Sequence, residues 1–458
     1  MEMKERPQRI AMTAEQAVPH VRGIRADVVS GAAAGGLTFA VYLLGSGRNY
    51  DYDSSETVGN FIATRSLLDP FRRQRVFNNH PLLSFLDHLV YSAGWHSPTG
   101  LRVLPILFAA LSVALVTAWA ARRWGVLAGA CVGLLLAANP AFAFESRAVR
   151  GYSLMTLSAV ASTMLLARLL RRETWLASVG YVAAAAAGIA THLYALFPLA
   201  AQAAALVARG EFTRRWAARL VAALALGAIA YARIGVGMIE AAHRQAHHFR
   251  PNFPLALTRT ILGGTSVSIA VIGLLLVLGF ATLARRETIA VALALAAAIA
   301  AVWLLLQPLD LYPRFLVWLV APIALSAGAA VGRWPATAAL ACAAVVPMAA
   351  VDARQWTHDP LPDRQAARLL AEARAQGQRP CVLPWVRGSL FAYTTPPHEV
   401  TRARNLNRCD FVIGTPIDSL TLRHAARRLL PHAWVLNANT PFIVFSRLPR
   451  STLMHRRA

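Results

Sequence analysis

Long, nearly uncharged apolar runs separated by short arginine-rich connections constrain this chain more than any other feature. Examples are VVSGAAAGGLTFAVYLL (28–44), VLPILFAALSVALVTAWA (103–120), GVLAGACVGLLLAA (125–138), YVAAAAAGIA (181–190) and VSIAVIGLLLVLGFATL (267–283). With flanking Trp and Tyr, several reach the roughly 20 residues that a bilayer core requires. The 458 residues, 56% hydrophobic and 15% charged, favour one large membrane unit over several soluble domains. A net charge of +24 raises nucleic acid as a partner. The arginines, however, punctuate the apolar runs instead of gathering on one face, which is what membrane topology asks of them.

Counting the runs gives about eleven spans: 28–45, 101–120, 124–138, 149–168, 175–193, 195–209, 217–235, 266–283, 288–306, 313–331 and 335–350. With the N-terminal tail, residues 1–27, in the cytoplasm, every second connection is basic: ARRWG (121–125), RLLRRE (168–173), ARGEFTRRWAAR (208–219), ARRE (284–287) and GRW (332–334). The first run reads as an uncleaved signal-anchor. The opposite face then receives 46–100, 139–148, THLY (191–194), 236–265, QPLDLYPR (307–314) and the tail 351–458. That tail mixes a helix-like 364–377 with strand-like 409–416 and 432–448, and reads as a small extracytoplasmic α/β domain. The expected fold is therefore an all-α polytopic membrane protein of residues 28–350 followed by this domain. Cys131 and Cys342 lie in apolar runs. Cys381 and Cys409 fall in the tail, where a disulfide can form outside the cytoplasm.

The first outer loop, 46–100, carries helical spacing in VGNFIATRSLLDPF (58–71) and HPLLSFLDHLVYSAGW (80–95), as interfacial helices would. It opens on NYDYDSSETVGN (49–60), which places Asp51, Asp53 and Glu56 within six positions of a chain holding 22 acidic and 46 basic residues. A helix from 53 onward would make Asp53 an N-cap and Glu56 the capping-box partner, with no functional role for either. That reading explains Asp51 poorly and leaves Asp53 free to face a cavity as well.

FESRAVRGY (144–152) sets Glu145, Arg147, Arg150 and Tyr152 on the same face. These arginines either pair with local carboxylates or offer bidentate forks to a phosphate. Arg314 poses the same choice, with Asp310 as the protein alternative. His192, between two apolar runs, reads as a helix-to-helix hydrogen bond or as a working residue at depth. His80 either orients a substrate or caps the helix it begins. His243, His247 and His248 have the spacing of a metal face without a matching ligand nearby.

The acidic motif after the first span, then NHPLLSFLDHLVY, NPAFAFESRAVRGYSLMTLSAVAS, THLYALFPLAAQ and a YPRF start to a late span, together resemble the GT-C class of multi-spanning glycosyltransferases that use polyprenyl-phosphate sugars. Within that class the resemblance is to the protein O-mannosyltransferase and aminoarabinose transferase group, over residues 28–330. It implies a GT-C-like fold and inverting transfer of a sugar to an acceptor hydroxyl at the outer face of a prokaryotic plasma membrane. Scarce lysine beside abundant alanine and arginine suggests a GC-rich prokaryotic genome, and so an undecaprenyl- or decaprenyl-phosphate-linked donor rather than a dolichyl one; the acceptor would be a glycan, lipid or protein. Family members write the acidic motif as a D-E pair, where this chain has DYDSSE. The implied catalytic residue is Asp53, with Asp51 as the rival register and Glu56 in the second acidic role. The resemblance further implies that Arg147, Arg150 and Arg314 hold the donor phosphate, with His80, Glu145, His192 and Tyr152 in support. A divalent cation, Mg or Mn, would be a cofactor shared with the acidic residues. A transporter or flippase of an anionic lipid is the competing function, although the chain lacks a convincing internal repeat. A membrane scaffold with a binding tail is a third.

Overall fold

The structure is a computed structural model that describes residues 20–21, 24–72, 79–238, 240, 252–283, 286–305, 312–357, 363–383, 386, 390, 393, 398–399, 403–415, 420–436 and 442–447. In chain order, a short hairpin, β1 (His20–Val21) and β2 (Ile24–Arg25), leads into α1 (Ala26–Leu43). The first loop holds α2 (Tyr52–Thr57), α3 (Asp69–Arg72) and α4 (Pro81–Ser92). Next come α5 (Pro98–Trp124), α6 (Val126–Ala138), α7 (Pro140–Arg147), α8 (Tyr152–Leu169), α9 (Trp175–Thr191), α10 (Leu196–Ala208) and α11 (Arg214–Ile229). They are followed by α12 (Phe253–Ile261), α13 (Ser266–Leu283), α14 (Arg286–Leu305), α15 (Val320–Arg333) and α16 (Ala338–Thr357).

Among the described residues six helices are long and apolar enough to cross a membrane, or seven if the bent pair α6 and α7 is one span. This overturns the expected eleven or so. Apolar composition marks helices, but the length between caps separates α9, α10 and α11 from the six. Thr174 caps α9 and His192 ends it, leaving 17 residues, while α10 and α11 run 13 and 16. At 1.5 Å per residue these helices extend about 20–26 Å, shorter than each of the six. The segment 139–148, read as an outer connection, is instead mostly helix: Asn139 accepts from the backbone N–H groups of Ala141 and Phe142, so α7 restarts at a 62° bend. That bend carries Glu145 and Arg147 back into the protein.

Close helix approach follows from small residues. Gly31 and Gly35 on α1, four apart, meet α5, where an added Cβ would lie 2.7 Å from the Ala114 carbonyl oxygen and 2.9 Å from that of Ala110. The first loop differs from its expected form. Its first helix begins at Tyr52 and continues as a π-turn over Val58–Ile62, where Ala63 N–H donates to Val58 O at 2.7 Å. The second, α4, starts at Pro81, the first-turn position that proline accepts.

The tail contributes a five-stranded sheet in the order β4-β3-β5-β7-β6, formed by β3 (Pro380–Val382), β4 (His398–Glu399), β5 (Phe411–Gly414), β6 (His432–Val435) and β7 (Ile443–Ser446). β3 runs parallel to β4 and β5, whereas β7 is antiparallel to β5 and β6. Successive side chains of β5 and β7, nearly all buried, point to opposite sides of the sheet and supply two apolar faces. Helix α17 (Asp363–Ala375) covers one through Leu369 and Leu370 against Phe411 and Val444. Helix α18 (Leu420–Leu429) covers the other through Leu422 and Ala426 against Val412 and Phe445. Cys381 and Cys409 form a disulfide beside β3 and β5.

The loop preceding the acidic motif is held from two directions. Buried Arg102 of α5 donates to the carbonyls of Ser46, Arg48 and Asn49 at 2.5, 2.7 and 2.9 Å. From the tail, Arg364 donates to Gly47 O at 2.7 Å, and Tyr393 OH accepts from Tyr50 N–H at 2.7 Å. Residues 46–50 therefore deliver α2 at a fixed place.

Candidate active site

The three clustered carboxylates have separate tasks. Asp51, not Asp53, is the N-cap of α2: its Oδ1 accepts Ser54 N–H at 2.9 Å and its Oδ2 accepts the Ser54 hydroxyl at 2.6 Å. Starting the helix one residue after Asp51 places Asp53 in the first turn, where its carboxylate reaches across to two arginines. Asp53 Oδ2 lies 2.8 Å from Arg314 Nη1 and 3.3 Å from Arg150 Nη1. Glu56 is not a capping-box partner, because it accepts the Tyr52 hydroxyl at 3.0 Å within the same helix. Burial raises the Glu56 pKa, and the Tyr52 hydrogen bond opposes this.

Ser54 was not singled out in the sequence, yet it joins the two halves of the site. Its hydroxyl donates to Asp51 and accepts Val149 N–H at 3.1 Å, so it ties α2 to the segment that presents Arg150. Arg150 is buried and donates to Tyr152 OH at 3.1 Å. Arg314 enters from the 3₁₀ turn Pro313–Leu319, with its side chain 33% exposed and its guanidinium 4.8 Å from the Tyr312 ring centroid.

Behind the arginines stands an aromatic wall. The rings of His80 and His192 are 5.0 Å apart, and Tyr152 lies 5.3 and 5.6 Å from them. Phe315 sits 5.2 Å from His192. Gly151 lets these groups converge, since an added Cβ would meet Thr191 Cγ2 at 2.3 Å and His80 Nδ1 at 2.9 Å. His192 Nδ1 accepts Tyr194 N–H at 3.2 Å, a local cap at the α9 to α10 junction. Burial, and then the charge of Arg150, hold the His80 imidazole well below its ordinary pKa, so the ring is neutral.

Of the three arginines expected at a phosphate, Arg150 and Arg314 meet at Asp53 and Arg147 does not. Arg147 forms a bidentate pair with Asp352 at 2.8 and 2.9 Å and packs over Tyr42 and Trp356. Asp310, the expected rival partner of Arg314, lies outside the described residues, as do His243, His247 and His248.

Arg314 also lines a cavity of about 650 Å³, together with Glu145, Tyr312, Arg48 and Arg259. Arg48 and Arg259 went unnoticed in the sequence. Arg48 follows the first apolar run in GSGRNY, and Arg259 stands alone in PLALTRTI, so only the fold brings them to one wall. A second, apolar cavity of about 250 Å³ opens among α5, α8, α10 and α15, lined by residues that include Trp119, Met164, Pro198 and Trp318.

Among the described residues no group of three or more His, Cys, Asp or Glu side chains is placed to hold a metal ion. The Asp53 carboxylate is faced by two guanidinium groups.

No protein-family model matches the chain, and no curated protein matches it. Solved structures do. ArnT from Cupriavidus metallidurans in the apo state aligns with a TM-score of 0.60 at 14% identity, covering 93% of this chain and 98% of that one. The same protein bound to undecaprenyl phosphate aligns with a TM-score of 0.56 at 14% identity, covering 92% and 98%. Identity this low shows a shared fold, and the coverage extends it over nearly the whole of both chains. The resemblance to GT-C glycosyltransferases read from the motifs is thus met at the level of architecture: the chain is a polytopic membrane protein with the fold of ArnT.

Proposed function

We propose that this protein is a GT-C-like glycosyltransferase that moves a sugar from a polyprenyl-phosphate donor to an acceptor hydroxyl, with inversion, at the outer face of the membrane. The observation that carries the reading is Asp53 set between Arg150 and Arg314, with Arg314 also forming the wall of a roomy arginine-lined cavity. A general base beside cationic groups that can receive a phosphate is the minimum equipment for this displacement. The ArnT structure holding undecaprenyl phosphate supports the lipid class of the donor. The disulfide in the tail supports an oxidising, extracytoplasmic side for that domain.

In the reaction, the acceptor oxygen attacks the anomeric carbon while the bond from that carbon to the phosphate oxygen breaks. Asp53 takes the acceptor proton, and the polyprenyl phosphate leaves carrying the bonding electron pair. Arg314 and Arg150 stabilise the charge that grows on the leaving oxygen, and Arg48 and Arg259 extend the positive wall. His80, neutral beside them, adds no competing charge. The apolar cavity suits part of an isoprenoid chain, so the lipid need never leave the membrane.

The test is sugar transfer from a panel of polyprenyl-phosphate sugars by protein in nanodiscs. Asp53→Asn should insert normally and lose transfer by roughly 10²–10⁴-fold. Full transfer by that variant removes Asp53 from the mechanism. Lipid movement across the bilayer without any transfer by the wild type would favour a flippase instead.

A further inference from the structure

We infer that Asp53 is a built-in counter-anion for the donor site: its carboxylate holds Arg314 until the donor phosphate takes that guanidinium over, which frees Asp53 to act as base. This rests on the proposed donor reading and adds an order of events to it.

The geometry separates the two arginines that meet at Asp53. Arg150 is 2% exposed in its side chain and donates to Tyr152 OH, so it is fixed from behind. Arg314 makes the shorter contact, 2.8 Å, but its side chain is 33% exposed and forms part of the cavity wall. Its buried Nε has no hydrogen-bond partner among the described residues. A guanidinium presents a planar fork of donors, and a single carboxylate oxygen at one Nη leaves that fork incompletely used. A phosphate arriving in the cavity offers several acceptor oxygens to the same group.

The exchange has a mechanistic consequence. A carboxylate paired with two guanidinium groups is a poor proton acceptor, because both positive charges favour its ionised form. Moving Arg314 onto the phosphate removes one of them. Asp53 therefore becomes a stronger base only after the donor is seated, and acceptor activation without donor is suppressed. Like-charge repulsion between phosphate and carboxylate further means that Asp53 opposes donor binding even as it serves the reaction.

Saturation binding of undecaprenyl phosphate to protein in nanodiscs tests this without any transfer assay. Wild type, Asp53→Asn, Asp53→Ser, Arg314→Gln and the double variant Asp53→Asn/Arg314→Gln would be compared, each checked for a cooperative melt. The Asp53 variants should bind about tenfold tighter or more, since a repelling charge and a competitor for Arg314 are both removed. Arg314→Gln should bind more weakly, and in its background Asp53→Asn should gain little, because the competition no longer exists. Equal or weaker binding by both Asp53 variants overturns the exchange while leaving the donor reading intact. Absence of saturable binding by the wild type overturns the donor reading itself. An undiminished gain in the double variant shows simple field repulsion and removes Arg314 from the exchange.

Discussion

Of the three arginines expected at a phosphate, Arg147 is the one paired away from Asp53. Its two Nη groups donate to the two carboxylate oxygens of Asp352 at 2.8 and 2.9 Å, and the side chains are 2% and 16% exposed. The guanidinium lies over the Tyr42 ring, 4.3 Å from its centroid, and over the Trp356 ring, at 4.6 Å. Removing one partner of such a buried pair strands the other charge, at a cost of about 3–5 kcal/mol. Asp352→Ala should be the worse of the two single changes, because it leaves the more deeply buried Arg147 uncompensated over two rings. Arg147→Ala leaves a half-buried carboxylate that water can reach and also forfeits two cation–π contacts. Arg147→Met with Asp352→Leu removes both charges while keeping bulk, and should return most of the stability, because apolar replacement of a whole buried pair is often neutral. Unfolding in mixed SDS and mild detergent micelles measures these differences, and undecaprenyl phosphate binding to the same samples supplies the second readout. The structure predicts that the double variant binds the lipid phosphate like wild type. A double variant that unfolds like wild type but no longer binds would refute the structural assignment and return Arg147 to the donor site. A loss below about 1 kcal/mol for Asp352→Ala would show that the pair does not hold α7 to α16.

Ser54→Ala removes the hydroxyl that joins the Asp51 cap to the Val149 N–H. Transfer kcat should fall roughly 10- to 100-fold through misalignment of Asp53 with little change in donor KM, while Ser54→Thr keeps most of the rate. A parallel rise in KM would point to general damage instead. Glu56, whose pKa burial raises, binds its proton more tightly in the folded state than in the unfolded one. Its contribution to stability is complete below the ordinary carboxylate pKa and is lost as pH rises through the folded value, so Glu56→Gln should flatten that decline in a melt followed against pH. An unchanged pH profile would show that Glu56 is not the group responsible. Replacing Cys381 and Cys409 with serine opens a loop with a sequence separation of 28 and should destabilise the tail domain by about 3–4 kcal/mol in calorimetry. A loss near zero would mean that the sheet closes that loop unaided.

What the sequence made legible, and what it hid, divides by range. Helices announced themselves because apolar runs bounded by Pro, Gly, Thr or Asn are local events: Pro81 and Pro98 begin helices, and Gly125, at φ +95°, ends one. Which helices are long enough to cross a membrane was hidden, because that depends on the length left between caps. Asn139 illustrates the difficulty, since one side-chain cap turns an expected outer connection into a second helix at 62°. In the site, the acidic stretch and the arginines at 150 and 314 stood out by residue type alone, and the chain brings them within 3.3 Å. The difference between Asp51 and Asp53 turned on a one-residue shift in where α2 begins. A carboxylate at the N-cap folds back on its own backbone, whereas one two residues later points away from it. Arg147 and Arg150 share a tetrapeptide yet face different partners, because α7 ends between them, with Ala148 extended at ψ 146°. Arg48, Arg259 and Ser54 did not stand out, since what brings them to the site is contact between segments far apart in the chain. In this fold, residue type nominates the charged groups of the candidate site, and cap positions decide which of them meet.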